Sequence, residues 1–188
     1  MSSEPSLFTR SLSDPACYIR RATEEDFPAA FELVKEYFEA VDVWVRDTES
    51  EFRDYLAGAD RGIWLALVWQ KPIGCIVLHP LANPPRSGEV KRLYVKPAYR
   101  GQGLAKRLLQ AVEEFAAKAA HYEWLYLDSK DELVNAIRFY ERYGYKHCDR
   151  YNSNPQATVF MRKRLPGRDE LPTRPSLRRA LAVTCSKC

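Results

Sequence analysis

From Ile63 to Trp69 the chain is apolar at every position, and after Gln70-Lys71-Pro72 a second apolar run follows, Ile73 to Leu78. So short a link permits only an antiparallel hairpin of two strands. Ahead of it, Cys17-Tyr18-Ile19-Arg20 reads as a short strand. Thr23 then stands as a helix N-cap with Asp26 in the capping-box position, and Ala30, Leu33, Val34, Tyr37 and Val41 recur at helical spacing behind it. A second, shorter helix is predicted over Glu49 to Leu56. Beyond the hairpin, a proline-bearing loop from His79 to Ser87 leads into a strand carrying Val90, Leu93, Tyr94 and Val95, which Pro97 closes because it has no amide to donate. From Gly103 the apolar residues Leu104, Leu108, Val112, Phe115 and Ala119 mark a long amphipathic helix. Trp124 to Leu127 is apolar throughout, as a strand covered on both faces would be, and the helix before it makes it parallel to the Glu89 strand. Glu132 to Tyr143 is the last predicted helix, with Leu133, Ala136, Ile137 and Tyr140 inward and Gly144 placed to cap it. Tyr145 to Tyr151 and Ala157 to Arg162 read as two final strands joined through Asn152-Ser153-Asn154-Pro155.

The order β-α-α-β-β-β-α-β-α-β-β describes an α/β chain with one mixed sheet, and 188 residues at 46% hydrophobic content suffice for one core. The expected organisation is a loose lead-in over residues 1–15, a folded domain over 16–165 and a basic, disordered tail over 166–188. Charge supports the last boundary. Residues 161–188 carry eight Lys or Arg against Asp169 and Glu170, a net of +6 against +4 for the whole chain, which leaves −2 for residues 1–160. The basic balance therefore belongs to the tail, and no basic face with interleaved aromatics points to nucleic acid. No run approaches the roughly 18 apolar residues of a membrane span, and MSSEPSLFTR lacks the apolar stretch of a signal peptide. Five cysteines without framework spacing fit reduced thiols, so a cytoplasmic chain is expected, as monomer or homodimer. His79, His121 and His147 lack mutual ligand spacing, and no metal is expected; each reads as structural or exposed.

The stretch from Glu89 to Leu109, EVKRLYVKPAYRGQGLAKRLL, joins a strand to a helix through a glycine-bearing turn. A helix that begins this way points unpaired amides, and a dipole worth roughly +0.5 charge, at whatever precedes it. An anion site follows. A Walker loop would need Gly-Lys-Ser/Thr, whereas Gly103 is followed by Leu104, Ala105 and Lys106; a dinucleotide fingerprint would need glycine where Lys106 stands. What remains is R-x-x-G-x-A at Arg100, Gly103 and Ala105, which resembles the acetyl-CoA motif [QR]-x-x-G-x-[GA] of the GNAT superfamily of acetyl-CoA-dependent N-acetyltransferases. The element order resembles the GNAT fold from about Tyr18 to Arg164: a mostly antiparallel sheet whose parallel central strands splay, flanked by about four helices. The segment Asn135 to Tyr145 is similar to the family's N-x-x-A-x-x-[FY]-Y-x-x-x-G-[FY], with a shortened spacing before the alanine.

The resemblance implies acetyl-CoA as co-substrate. Amides of Arg100, Gly101, Gln102, Gly103, Leu104 and Ala105 would hold its pyrophosphate, the edge of Leu93, Tyr94 and Val95 would pair with its pantetheine, and Asn135 would bond it further. Transfer to an amine demands a neutral nucleophile, and an alkyl amine is only about 0.04% neutral at pH 7, a deficit of roughly 4.6 kcal/mol. Glu89 is the candidate base, acting through water once burial raises its pKa, at a position that resembles that of the catalytic glutamate in some members of the family. Tyr140 is the candidate acid for the departing thiolate. The acceptor is expected among Tyr37, Trp44, Arg46 and Tyr151, with Asp47, Trp64 and Asn154 nearby, and a small amine such as an amino acid or polyamine is the expected substrate. A protein or peptide amine, and a non-catalytic acyl-CoA sensor, are the competing readings.

Overall fold

The computed structural model describes residues 17–167; the lead-in over 1–15 and nearly all of the tail fall outside the described residues. Seven strands form one sheet in the order β1-β2-β3-β4-β5-β7-β6. These are β1 (Tyr18–Arg21), β2 (Gly62–Val68), β3 (Lys71–Leu81), β4 (Ser87–Val95), β5 (Trp124–Ser129), β6 (Lys146–His147) and β7 (Val159–Arg164). Four helices flank it: α1 (Phe27–Ala40), α2 (Glu49–Asp54), α3 (Leu104–Lys118) and α4 (Val134–Arg142). Every neighbouring pair is antiparallel except β4 and β5.

The uninterrupted apolar run of β2 is explained by its two covered faces. Ile63, Leu65 and Leu67 enter one buried cluster with Phe27, Leu33, Val34 and Phe38 of α1, while Trp64 and Ala66 enter a second with Leu108, Leu109 and Val112 of α3. Alternation therefore sorts residues between two cores rather than between core and water. The hairpin turns at Trp69 and Gln70, whose φ of 49° and 62° both lie in the left-handed region of a tight primed turn, so Lys71 and Pro72 already belong to β3. Both predicted helix starts are closed by capping boxes. Asp26 accepts from the Thr23 amide at 2.8 Å ahead of α1, and Thr48 exchanges bonds with Glu51 at the start of α2.

The last hairpin departs from expectation. β6 holds only Lys146 and His147, and the chain from Cys148 to Thr158 is an irregular loop, in place of a strand from Tyr145 to Tyr151. Tyr151 and Asn152 of this loop turn inward to Glu89, and Tyr151 belongs to no ladder.

Candidate active site

The site begins where β4 and β5 part. Their parallel ladder pairs only Ser87, Gly88 and Glu89 with Trp124, Leu125 and Tyr126, and β4 continues to Val95 with its β5-facing edge unpaired by that strand. Glu89 is the last residue before the strands separate, and it is 3% exposed. Four donors surround its carboxylate. Tyr151 Oη donates to Oε1 at 2.7 Å and Asn152 Nδ2 to the same oxygen at 2.9 Å. His79 Nε2 and Lys91 Nζ each stand 3.4 Å from Oε2. Burial pushes the carboxyl upward, but the His79 and Tyr151 hydrogen bonds and the Lys91 charge outweigh it and hold the pKa down at about 2. The expectation that burial would raise it is thus reversed by the donors.

Around Glu89 opens a cavity of about 420 Å³. Its walls come from the α1–α2 connector, from β3 and β4, from the end of β5 and from the 148–158 loop. Tyr37 and Arg46 line it as predicted, Arg46 being held by Glu39 Oε1 at 2.6 Å and by the Val43 carbonyl at 2.7 Å. Tyr151 takes part through its bond to Glu89. Trp44 does not line the cavity: its side chain is 70% exposed on the connector. Trp64 also stands elsewhere, 5% exposed on the α3 face of the sheet, where even-numbered positions of β2 must point. Sequence reasoning passed over His79 and Asp128. Asp128 accepts from Asn152 Nδ2 at 2.6 Å and from Asn154 Nδ2 at 3.2 Å, so one loop amide bridges two carboxylates. The hairpin register carries a signal for His79, since it lies directly opposite Glu89 on β3, but a strand ending at Leu78 hides it.

A second cleft, of about 300 Å³, lies at the N-terminus of α3. Gly103 caps that helix with φ 73° and Gly101 precedes it with φ 80°. A Cβ on either would meet nothing within 4 Å, so glycine is required by the left-handed backbone and not by lack of room. Arg100 Nε donates to the Val95 carbonyl at 2.9 Å, hooking the turn back onto the end of β4. Val95, Arg100, Gly101, Gly103, Leu104 and Ala105 line this cleft, and Lys106 and Arg142 add positive charge. Gln102 is exposed beside it. Leu93 and Tyr94 lie on opposite faces of β4, in the α3-side and α1-side clusters, and do not line this cleft. Asn135 is exposed in the first turn of α4.

Tyr140 sits on the buried face of α4, 8% exposed, in edge contact with Tyr145 at 5.5 Å. Leu133, just before α4, touches the larger cavity, while Arg142 and Tyr143 at its end touch the cleft, so this helix connects the two. Burial pushes the Tyr140 phenol up, with Tyr37 and Asp128 adding to the effect, and the hydroxyl keeps its proton at neutral pH.

The sequence model of the Acetyltransferase (GNAT) family matches residues 27–145. An uncharacterized N-acetyltransferase of Schizosaccharomyces pombe is 31% identical over 137 residues, covering 69% of this chain and 83% of that protein. The aminoalkylphosphonate N-acetyltransferase of Salmonella typhimurium is 32% identical over 135 residues, covering 70% and 86%. Among solved structures, a GNAT-family acetyltransferase from Staphylococcus aureus gives a TM-score of 0.70 at 20% identity, over 80% of this chain and 100% of that one. The PaiA N-acetyltransferase of Thermoplasma acidophilum, solved with coenzyme A, gives 0.65 at 20% identity, over 79% and 99%. At such identities the structural likeness speaks for the fold.

Proposed function

The chain belongs to the acetyltransferase (GNAT) family and is an acyltransferase, and on that premise we propose that it transfers the acetyl group of acetyl-CoA directly to the primary amine of a small molecule. One observation carries the reading: a buried, ionised carboxylate, Glu89, stands where the two parallel strands part, in the wall of a cavity open to an acceptor. The unpaired edge of β4 at Leu93 to Val95 suits the amides of pantetheine, which can join the splayed sheet as an added strand. The amides from Arg100 to Ala105, at the positive end of α3, suit the pyrophosphate. Glu89 and Asp128 give the cavity a negative floor that attracts an ammonium group, and Arg46 and Lys91 give it cationic walls. That mixture favours an amine that also carries an anion, an amino acid or an aminoalkylphosphonate, over a polyamine. The name of the Salmonella relative agrees with such an acceptor. Tyr140 supplies the proton for the departing thiolate.

The test is thiol release from acetyl-CoA with purified protein and a panel of amino acids, aminoalkylphosphonates, polyamines and short peptides. Release is expected with the zwitterionic amines at neutral pH. Faster release with peptides would move the reading to a protein acceptor. Binding of acetyl-CoA, seen as a rise in melting temperature, without release from any amine would mark a sensor.

A further inference from the structure

Two groups in the acceptor cavity stand in the relation of a base and its orienting acid, and neither the family membership nor the proposed reaction assigns it. His79 and Glu89 are directly paired across β3 and β4, so their side chains rise from the same face of the sheet. Each lines the cavity, and 3.4 Å separates Nε2 from Oε2. Resting on the transfer reading above, we infer that His79 is the proton acceptor for the ammonium group of the acceptor, with Glu89 behind it as the carboxylate that fixes its tautomer and stabilises the imidazolium.

Three features carry this. The Glu89 carboxylate is engaged on both oxygens, Oε1 by hydrogen bonds from Tyr151 and Asn152 and Oε2 by His79 Nε2 and Lys91 Nζ at 3.4 Å, so it has little capacity left for a further proton. A carboxylate so held, at about 2, takes a proton poorly near neutrality. With a carboxylate oxygen 3.4 Å from Nε2, the tautomer with its proton on Nε2 and its lone pair on Nδ1 is the favoured neutral imidazole. The ring is braced by the edge of Tyr55 at 5.9 Å, yet its side chain is 31% exposed, which leaves it open to the cavity. Its charged surroundings are Glu89 and Lys91 on β4, Glu51 on α2, the Asp47–Arg92 pair, Arg46 on the connector and, among the other residues lining the cavity, Asp128 and Lys130.

The step balances without a further reagent. An N–H bond of the ammonium breaks and its proton goes to Nδ1 of His79, and the freed lone pair attacks the thioester carbonyl to form the C–N bond. The C–S bond then breaks, and Tyr140 protonates the thiolate and recovers a proton from the second N–H of the nitrogen. His79 returns its proton to solvent. The products are the amide, the free thiol and one proton.

Rates measured against pH for wild type and His79→Gln test it. The variant is expected to lose 10²- to 10⁴-fold in kcat at pH 7, with the KM for acetyl-CoA unchanged. The loss should shrink as pH rises toward the pKa of the amine, because the free nucleophile then needs no base. A loss under threefold, or the same factor at every pH, overturns the proposal, since a structural histidine would give one or the other. Nitrogen-15 spectra supply a readout free of turnover. At a pH where the imidazole is neutral, wild type should show the proton on Nε2, and Glu89→Gln should weaken that preference. A neutral His79 with its proton on Nδ1 overturns the proposal alone. No thiol release with any amine sinks the transfer reading and this proposal together.

Discussion

The carboxylate of Asp47 receives two parallel hydrogen bonds from the guanidinium of Arg92, 2.9 Å from Nε and 2.8 Å from Nη2, across 45 positions of sequence. Both side chains are nearly out of water, at 11% and 13% exposure. Arg92 reaches this partner from a bulge. β3 pairs Val77 with Lys91 and Cys75 with Tyr94, so β4 holds one extra residue there, and Arg92 takes φ 54° to accommodate it. Such a left-handed arginine costs roughly 1 kcal/mol, and the paired guanidinium, stacked on Phe38 at 5.0 Å, offsets it. The contact ties the α1–α2 connector to the central strand and so sets one wall of the cavity around Glu89.

Asp47→Ala should therefore destabilise the fold by about 3 to 5 kcal/mol, because it leaves a buried guanidinium without its anion. Asp47→Ala combined with Arg92→Met should recover part of that loss, since no charge is then stranded. Urea unfolding of the three variants checks both statements, with midpoints shifting and slopes unchanged. A single-variant loss below 1 kcal/mol would mean that other contacts hold the connector.

What the chain disclosed in advance follows from which interactions are local. The capping box at Thr23 spans three residues, and the Gln70 hairpin joins adjacent runs, so both are set by neighbours in sequence. The parallel placement of Trp124 to Leu127 beside Glu89 followed from the helix between them. The Asp47–Arg92 pair depends on a bulge, and a bulge leaves no mark in a pattern of alternating residues. The 148–158 loop hid for a related reason: Tyr151 was legible as an acceptor-site candidate, but its bond to Glu89 exists only because β6 stops at His147. His79 reads in sequence as one histidine among three without ligand spacing, because its partner is a carboxylate ten residues on and one strand across.

Glu89 makes stability depend on acid in a calculable direction. Its pKa falls from an ordinary 4.5 when unfolded to about 2 when folded, so the folded carboxylate gives up its proton more readily. The resulting stabilisation is fully present above pH 4.5 and is lost as pH falls through about 2, at most roughly 3 kcal/mol in all. Glu89→Gln removes this contribution. The difference in urea midpoint between wild type and variant should thus narrow steadily from pH 5 to pH 2. A constant difference across that range would mean that Glu89 is not held as an ion in the folded protein.

Tyr140 provides the sharpest separation of chemistry from packing. Its ring belongs to the buried cluster with Tyr145, so Tyr140→Phe keeps the shape and removes one hydroxyl. Burial that raises the phenol would raise a thiol in similar surroundings as well, as it does for Cys75, pushed up to about 12. A thiolate expelled in that environment is strongly basic, and a protonated phenol is a competent donor to it. Loss of that donor should lower kcat by 10²- to 10⁴-fold and leave the affinity for acetyl-CoA within a few-fold, because the cleft at α3 contains no part of the Tyr140 side chain. A tyrosine serving only the core would cost stability alone, about 1 kcal/mol for one hydrogen-bonding group, with kcat little changed. Thiol release at saturating acceptor, measured beside acetyl-CoA binding by calorimetry and a urea midpoint, distinguishes the two. Turnover that survives Tyr140→Phe would remove the residue from the reaction while leaving the proposed acetyl-CoA site at the β4–β5 splay and the α3 turn untouched.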